Sequence, residues 1–225
     1  MAMLAVKSSM LSGKNVQLKV PFDCPVLLLK ERLAQQAEFN ARTGFRLIWR
    51  NQVLEEEIYT RLSDLFEEGA DEVDLDMILH KVEFEYWRCS NKAQEAINNR
   101  PLPRRGGVAS FEVMILHSSQ DGHIGVELGV CVNAKDRYVT RGSFLYKNDE
   151  RMALKQWRST SPRYLEIGET VHFAVLYSGA IVITLGNEEQ ARWEVGIDPK
   201  HQLTTIVAIQ DPCKSVEFRL PREPV

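Results

Sequence analysis

The sequence predicts an α+β chain in which a small unit of strands and one helix precedes an antiparallel β-sandwich. An amphipathic stretch of helix length lies between runs with the apolar period of a strand within about the first 80 residues. Beyond that point the strand period recurs without another stretch of helix length. At 225 residues the chain is long enough for two domains that each bury a core. We therefore place the domains at 1–81 and 82–225.

The N-terminal unit begins with a predicted hairpin followed by a helix. The apolar residues that alternate with polar ones in the two strands are Leu4, Val6, Val16, Leu18 and Val20. The helix begins near Pro25, since proline is tolerated in the first turn of a helix. Val26, Leu29 and Leu33 follow at spacings of three and four, which places them on one stripe. The helix is therefore expected to cover one face of the sheet.

A second hairpin is predicted after this helix. Arg46 to Trp49 has the pattern of a strand, 50–52 that of a tight polar turn, and Val53 and Leu54 form the return. Ser63-Asp64 is expected to make a short turn before a last strand at 73–79. The remaining core is predicted to come from aliphatic residues of these elements, which are Leu47, Val53, Leu62, Leu65, Leu75, Met77 and Leu79.

This order of two strands, a helix, two strands and a closing strand resembles ubiquitin and the ubiquitin-like domains over residues 3 to about 81. The resemblance implies a β-grasp fold and an apolar surface that protein partners recognise. The partner-binding residues that it implies are Leu11, Ile48, Trp49 and Ile78. These side chains are also compatible with ordinary scattered surface residues. Trp49 favours binding because aromatic residues are enriched at interfaces, although pleat alternation can instead turn it inward.

Two departures from ubiquitin affect the predicted role. Asp76 stands where ubiquitin has a histidine. A conjugated modifier ends in a free Gly-Gly, whereas this chain continues past His80 into further strand-like sequence. The resemblance therefore implies a built-in ubiquitin-like domain rather than a modifier.

The C-terminal region is predicted to be an antiparallel β-sandwich. Apolar residues recur at every second position in four runs, which are Phe111, Val113 and Ile115; Ile124, Val126, Leu128 and Val130; Val171, Phe173 and Val175; and Ile181, Ile183 and Leu185. Further strands are predicted around Trp193, from Leu203 to Ile209 and from Val216 to Leu220. His172 alternates with its apolar neighbours and is therefore expected to face the solvent.

The periodicity disappears between Ser90 and Gly107, where prolines and a Gly-Gly pair predict an exposed loop over 90–107. Arg100, Arg104 and Arg105 form a basic cluster in this segment. Such a cluster either faces the solvent or contacts an acidic partner or nucleic acid.

Short motifs over roughly residues 83 to 221 resemble the farnesoic acid O-methyltransferase-like domain. The motifs are Tyr86-Trp87, Phe111-Glu112-Val113, the string from Ser119 to Leu128, Arg141-Gly142-Ser143, Gly179-Ala180-Ile181-Val182 and Trp193. The family name suggests an enzyme, but the glycine-rich turn between strand and helix that holds S-adenosylmethionine is missing. Gly122 and Gly125 lie inside strand patterns, and the sugar-binding His-x-Asn-x-Arg strand of galectin-like lectins is also absent.

The sequence contains no catalytic constellation. Asp121, His123 and Arg141 form a candidate ligand site in the sandwich, although an aspartate in a turn often bonds its own backbone. No two of the five histidines have the spacing of metal ligands, so neither a metal nor a cofactor is predicted.

Charge and cysteine usage restrict the function classes. The net charge of -3 argues against a general nucleic-acid or membrane role, and the four cysteines are widely spaced, which favours a reducing compartment. The sequence therefore predicts a non-enzymatic intracellular adaptor or complex subunit, cytoplasmic or nuclear, that binds protein partners. The alternative is a sandwich that binds a small molecule, a lipid or a sugar.

Overall fold

The computed structural model describes residues 2–10, 12–39, 43–54, 60–81, 84–90, 101–118, 125–141, 144–152, 167–186, 188–210 and 213–221. The chain divides into two compact units, Met1–Val82 and Glu83–Val225. The described residues form 17 strands in three sheets and only two helices, of 11 and 4 residues. The predicted α+β class with an N-terminal β-grasp is therefore wrong, because strands dominate the chain and its class is mostly β.

The N-terminal unit contains a mixed sheet of five strands. Its elements are β1 Met3–Met10, β2 Asn15–Pro21, α1 Val26–Gln36, β3 Thr43–Trp49, β4 Gln52–Val53, α2 Leu62–Leu65 and β5 Glu72–Lys81. The strand order is β2-β1-β5-β3-β4, with β1 parallel to β5 and the other pairs antiparallel. The predicted helix stripe is confirmed, since Val26, Leu29 and Leu33 are fully buried.

The turn after β3 sets the register of β4. Arg50 and Asn51 have φ of 49° and 65°, the left-handed backbone of a two-residue hairpin turn. Val53 therefore lies opposite Ile48, on the side of the sheet away from the core, and is 50% exposed. The core prediction is wrong for Val53, and also for Leu79, which is 46% exposed near the end of β5. The core residues that are confirmed are Leu47, Leu62, Leu75 and Met77.

The C-terminal unit is an antiparallel sandwich of two sheets. Its strands are β6 Phe84–Ser90, β7 Arg104–Arg105, β8 Val108–Ser118, β9 Gly125–Val132, β10 Asp136–Arg141, β11 Phe144–Lys147, β12 Glu150–Arg151, β13 Thr170–Val175, β14 Ile181–Leu185, β15 Glu188–Trp193, β16 Leu203–Gln210 and β17 Cys213–Pro221. The smaller sandwich sheet has the order β12-β11-β10-β9-β16. The larger sandwich sheet has the order β15-β14-β13-β8-β17-β6, with β7 paired to β8.

One hydrophobic core joins the two sandwich sheets. Phe111, Phe173 and Phe218 of the larger sheet are fully buried, and the rings of Phe111 and Phe173 stack with centroids 5.1 Å apart. Val130 and Val207 of the smaller sheet belong to the same core. The strand period predicted such a core, because alternate residues of a strand share one face. The predicted β-sandwich is therefore confirmed.

The described part of the segment predicted as an exposed loop contributes to the sandwich. Ser90 ends β6, Arg104–Arg105 forms β7, and Leu102 is only 5% exposed in the core. Leu102 also donates its backbone N–H to the carbonyl of Leu203. The exposed-loop prediction is therefore wrong for buried Leu102 and for the strand Arg104–Arg105, because one apolar residue and a two-residue strand leave no periodic signal. Pro101 and Pro103 are exposed as expected, and 91–100 lies outside the described residues.

Candidate functional site

Five residues form one surface on the outward side of the N-terminal sheet. In the antiparallel pair of β3 and β5, Ile48 lies opposite Asp76 and Arg46 lies opposite Ile78. Val53 of β4 lies on the other flank of Ile48. Residues directly opposite in a ladder, and those two apart along a strand, share one side of the sheet. We call this surface the Ile48 face.

The Ile48 face presents apolar side chains to the solvent. Val53 is 50% exposed and Ile78 is 42% exposed, whereas Ile48 between them is half-buried. Two of the predicted partner-binding residues, Ile48 and Ile78, thus lie on this surface together, and Leu11 lies outside the described residues.

Trp49 points to the opposite side of the sheet. Its ring meets that of Phe66 edge-on, with centroids 4.9 Å apart, and it packs against the core. The guanidinium of Arg50 lies 4.5 Å from the centre of the Trp49 ring. The structure therefore gives Trp49 the inward orientation that pleat alternation had left open, and a packing role.

The charges on the outward side of the N-terminal sheet differ in their pairing. The Lys7 ammonium donates to the Glu72 carboxylate over 2.7 Å, and this hydrogen bond raises the pKa of Lys7. Arg46 and Asp76 are both exposed, and among the described residues neither side chain makes a hydrogen bond or an ion pair. Within the described residues, the Ile48 face therefore carries one cation and one anion that have no ion-pair partner.

A buried polar row crosses the outward side of the larger sandwich sheet. Thr184, His172, Glu112 and Arg219 are cross-strand neighbours on β14, β13, β8 and β17. Glu112 is 0% exposed, and both His172 and Thr184 are 1% exposed. The expectation that His172 faces solvent is wrong. Pleat alternation places it correctly on the side away from the sandwich core, but that side is also covered.

The charges of this row are held in ion pairs. An Arg219 Nη1 atom lies 3.7 Å from Glu112 Oε2, and Arg219 Nε donates to Glu217 Oε1 over 2.7 Å. Sequence reasoning did not single out this row. The signal that was available is a charged residue inside a strongly apolar strand, as in Phe111-Glu112-Val113.

Of the candidate ligand site in the sandwich, only Arg141 is described, and its charge is already engaged. Its Nη2 atom donates to Asp149 Oδ1 over 2.7 Å, and its Nε lies 2.9 Å from Glu127 Oε1. These two carboxylates, Asp149 foremost, raise the pKa of Arg141. Asp121 and His123 lie outside the described residues.

The basic cluster is not one exposed surface. Arg104 Nη1 donates to the carbonyl oxygens of Gly107 and Leu176 over 3.1 and 3.2 Å. Burial lowers the pKa of Arg104. Arg104 therefore connects the turn between β7 and β8 to the end of β13 by hydrogen bonds. Arg105 beside it is half-buried, and Arg100 lies outside the described residues.

Neither a metal site nor a membrane-spanning helix is found in the part of the chain that the structure describes. No group of three or more histidine, cysteine, aspartate or glutamate side chains there has the arrangement to hold a metal ion. None of the helices found there has the length and apolar character to cross a membrane.

Comparisons with known proteins add little to these observations. No protein-family model matches the sequence, and no curated protein matches it. Among solved structures the chain is similar to the SPRY domain of human HERC1, at 14% identity and a TM-score of 0.37, over 65% of this chain and 89% of that one. It is also similar to the alginate lyase AlgAT5 from polysaccharide lyase family 7, at 9% identity and a TM-score of 0.29, over 51% and 56%. Similarities this low support no functional argument, and the two sequence resemblances are not confirmed by them.

Proposed function

We propose that the chain is a non-enzymatic adaptor or complex subunit and that a partner protein binds the Ile48 face. The observation that supports this most directly is that exposed Val53 and Ile78 and half-buried Ile48 lie on one side of one sheet. Clustered apolar side chains on a surface are the usual mark of an interaction site.

The charges at the Ile48 face suit a protein partner. Interfaces combine an apolar centre with polar groups around it, and charged groups there fix the register of the partner. Arg46 and Asp76 lie beside the apolar side chains and make no ion pair within the described residues. A partner that supplies the opposite charges would gain specificity as well as apolar contact.

A non-enzymatic role is consistent with how polar groups are used in the sandwich. Arg141 is held by Asp149 and Glu127, and Arg219 is held by Glu217 and Glu112. Cys24 and Cys131 are free thiols, which suits a reducing compartment such as the cytoplasm or the nucleus. The candidate small-ligand function gains no comparable support, since the described member of that site is already paired.

The test compares two arginine substitutions on the same side of the same sheet. Ile48→Arg places a charge in the centre of the Ile48 face, so a partner that buries this surface should be lost. Gln17→Arg is the matched control, because Gln17 is exposed on β2, with β1 and β5 between it and β3. The unfolding free energy should change by about 1 kcal/mol or less in both variants.

The measurement is a pull-down with the tagged full chain from lysate of cells that express it, read by quantitative mass spectrometry beside thermal melts. Ile48→Arg should lose at least one protein that wild type and Gln17→Arg both retain. A folded Ile48→Arg variant that keeps every captured protein would exclude the Ile48 face as the binding surface.

A further inference from the structure

The Ile48 face has an alternating arrangement of charge and apolar surface. The register of β3 and β5 places Ile48 beside Asp76 in one row and Arg46 beside Ile78 in the next. The two isoleucines therefore occupy one diagonal of a four-residue square. The two opposite charges occupy the other diagonal.

We infer that this arrangement binds a second copy of the chain. A symmetric dimer uses the same patch on both subunits, so the patch must be complementary to itself. A two-fold axis along the diagonal of the isoleucines sets each isoleucine against its own equivalent. The same axis sets Asp76 of one copy against Arg46 of the other, and Arg46 against Asp76. One operation thus forms two apolar contacts and two ion pairs.

The spacing of a β-ladder permits this pairing. Side chains directly opposite are about 5 Å apart at Cβ, and diagonal neighbours are about 7–8 Å apart. The four residues therefore form a rectangle that is nearly square. The two-fold axis then brings each carboxylate to within a few ångström of the position directly opposite the arginine, which the long arginine side chain can span.

The two opposite charges of Arg46 and Asp76 favour a second copy over a partner with a single sign of charge. Neither Arg46 nor Asp76 has a side-chain hydrogen bond or an ion pair within the described residues. A purely basic or purely acidic partner would pair one of these charges and leave the other desolvated without a partner, which is unfavourable. The Ile48 face itself presents the required acid and base in mirrored positions.

The dimer should be weak and sensitive to salt. The surface is much smaller than the roughly 800 Å² per partner of a standard interface, so a transient association is expected. Ion pairs between side chains at the protein surface are also screened as the ionic strength rises. The inference does not depend on the proposed function, because no third protein takes part, although both would use the same surface and would compete.

The experiment uses sedimentation equilibrium of the purified full chain at low salt, from micromolar to high-micromolar concentration. Wild type should show reversible dimerisation. Asp76→Arg and Arg46→Asp should each weaken it by on the order of tenfold or more, because like charges then face each other twice. Gln17→Arg should dimerise as wild type does.

Two restored pairings separate a specific dimer from general charge effects. The double variant Asp76→Arg with Arg46→Asp should recover the dimer, and an equimolar mixture of the two single variants should associate although neither does alone. A wild type that is monomeric throughout, or a dimer indifferent to both single substitutions, would overturn the inference. A mixture that fails to associate would overturn it as well. The pull-down tests only the proposed function, and sedimentation tests only the dimer. A negative result in one experiment therefore does not decide the other.

Discussion

The outward sides of two sheets in this chain have the same sequence pattern and opposite environments. On β5 the acidic residues Glu72, Asp74 and Asp76 alternate with core residues and are all exposed. On β8, Glu112 alternates with Phe111 and Val113 in the same way, yet it is fully buried. Alternation therefore identifies the side of a sheet that a residue occupies, but not whether that side is covered.

This difference changes the energetic role of the charges. A buried carboxylate loses its hydration and must be compensated by a partner, which Arg219 supplies to Glu112 at 3.7 Å. An exposed carboxylate keeps its hydration, so its ion pairs contribute little. The exposed charges of the N-terminal sheet thus contribute little to stability, whereas those on the larger sandwich sheet are part of its structure.

The largest expected effect comes from removing the buried carboxylate. Glu112→Ala should lower the free energy of unfolding by about 3 kcal/mol, because it leaves the partly buried Arg219 without this partner. Glu72→Ala, also on an outward side, is the control and should leave stability almost unchanged. Denaturant unfolding of both variants measures the difference. If both variants lost the same small unfolding free energy, the burial of Glu112 would have no energetic consequence. The two sheets would then not differ in the role of their charges.

A second comparison lies within the N-terminal sheet, between neighbouring residues that face opposite sides. Trp49→Ala should cost about 2 kcal/mol, since Trp49 is half-buried and loses its edge contact with Phe66. It should leave dimerisation intact at temperatures where the chain is folded. Ile48→Arg should instead keep the fold and weaken dimerisation, because the two-fold axis sets the new charge against its own equivalent. Thermal melts and sedimentation of the two variants test this. Lost association in a folded Trp49→Ala chain would contradict the assignment of sides.

The sequence was sufficient for elements with a clear period and insufficient where long-range contacts decide. The stripe of α1 and the alternation of the sandwich strands are local signals, and both are confirmed. Val53 was misplaced because a two-residue turn at Arg50 and Asn51 sets its side. The solvent exposure of His172 was predicted wrongly, because its burial depends on what covers the outward side of the larger sandwich sheet. The class was wrong because one clear helix pattern outweighed many short strands.

The candidate site was foreseeable only in part. Ile48 and Ile78 were identified from the resemblance to ubiquitin-like domains, but the alternation of Arg46 and Asp76 around them was not. That pattern exists only once β3 and β5 pair in one register, across about 30 residues of sequence. A one-residue shift of either strand would turn its isoleucine to the other side of the sheet.

The smallest effect is expected for the exposed pair of Lys7 and Glu72, whose side chains are both 45% exposed. The hydrogen bond and charge of Glu72 raise the pKa of Lys7 above its ordinary value of 10.5. A cation whose pKa is higher in the folded chain stabilises the fold below the unfolded pKa, and this contribution disappears as the pH rises through the folded value. Lys7→Met should therefore melt slightly below wild type at neutral pH, and the difference should shrink above pH 10.5.

Salt distinguishes the exposed pair of Lys7 and Glu72 from the buried pair of Glu112 and Arg219. At about 1 M salt the screening length falls to about 3 Å, so the small difference between Lys7→Met and wild type should vanish at neutral pH. The loss caused by Glu112→Ala should remain, because buried charges are screened far less. Melting curves of both variants at low and high salt measure the two responses together. If the Lys7→Met difference survives high salt, or grows at alkaline pH, packing of the lysine stem rather than its charge stabilises the fold at this position.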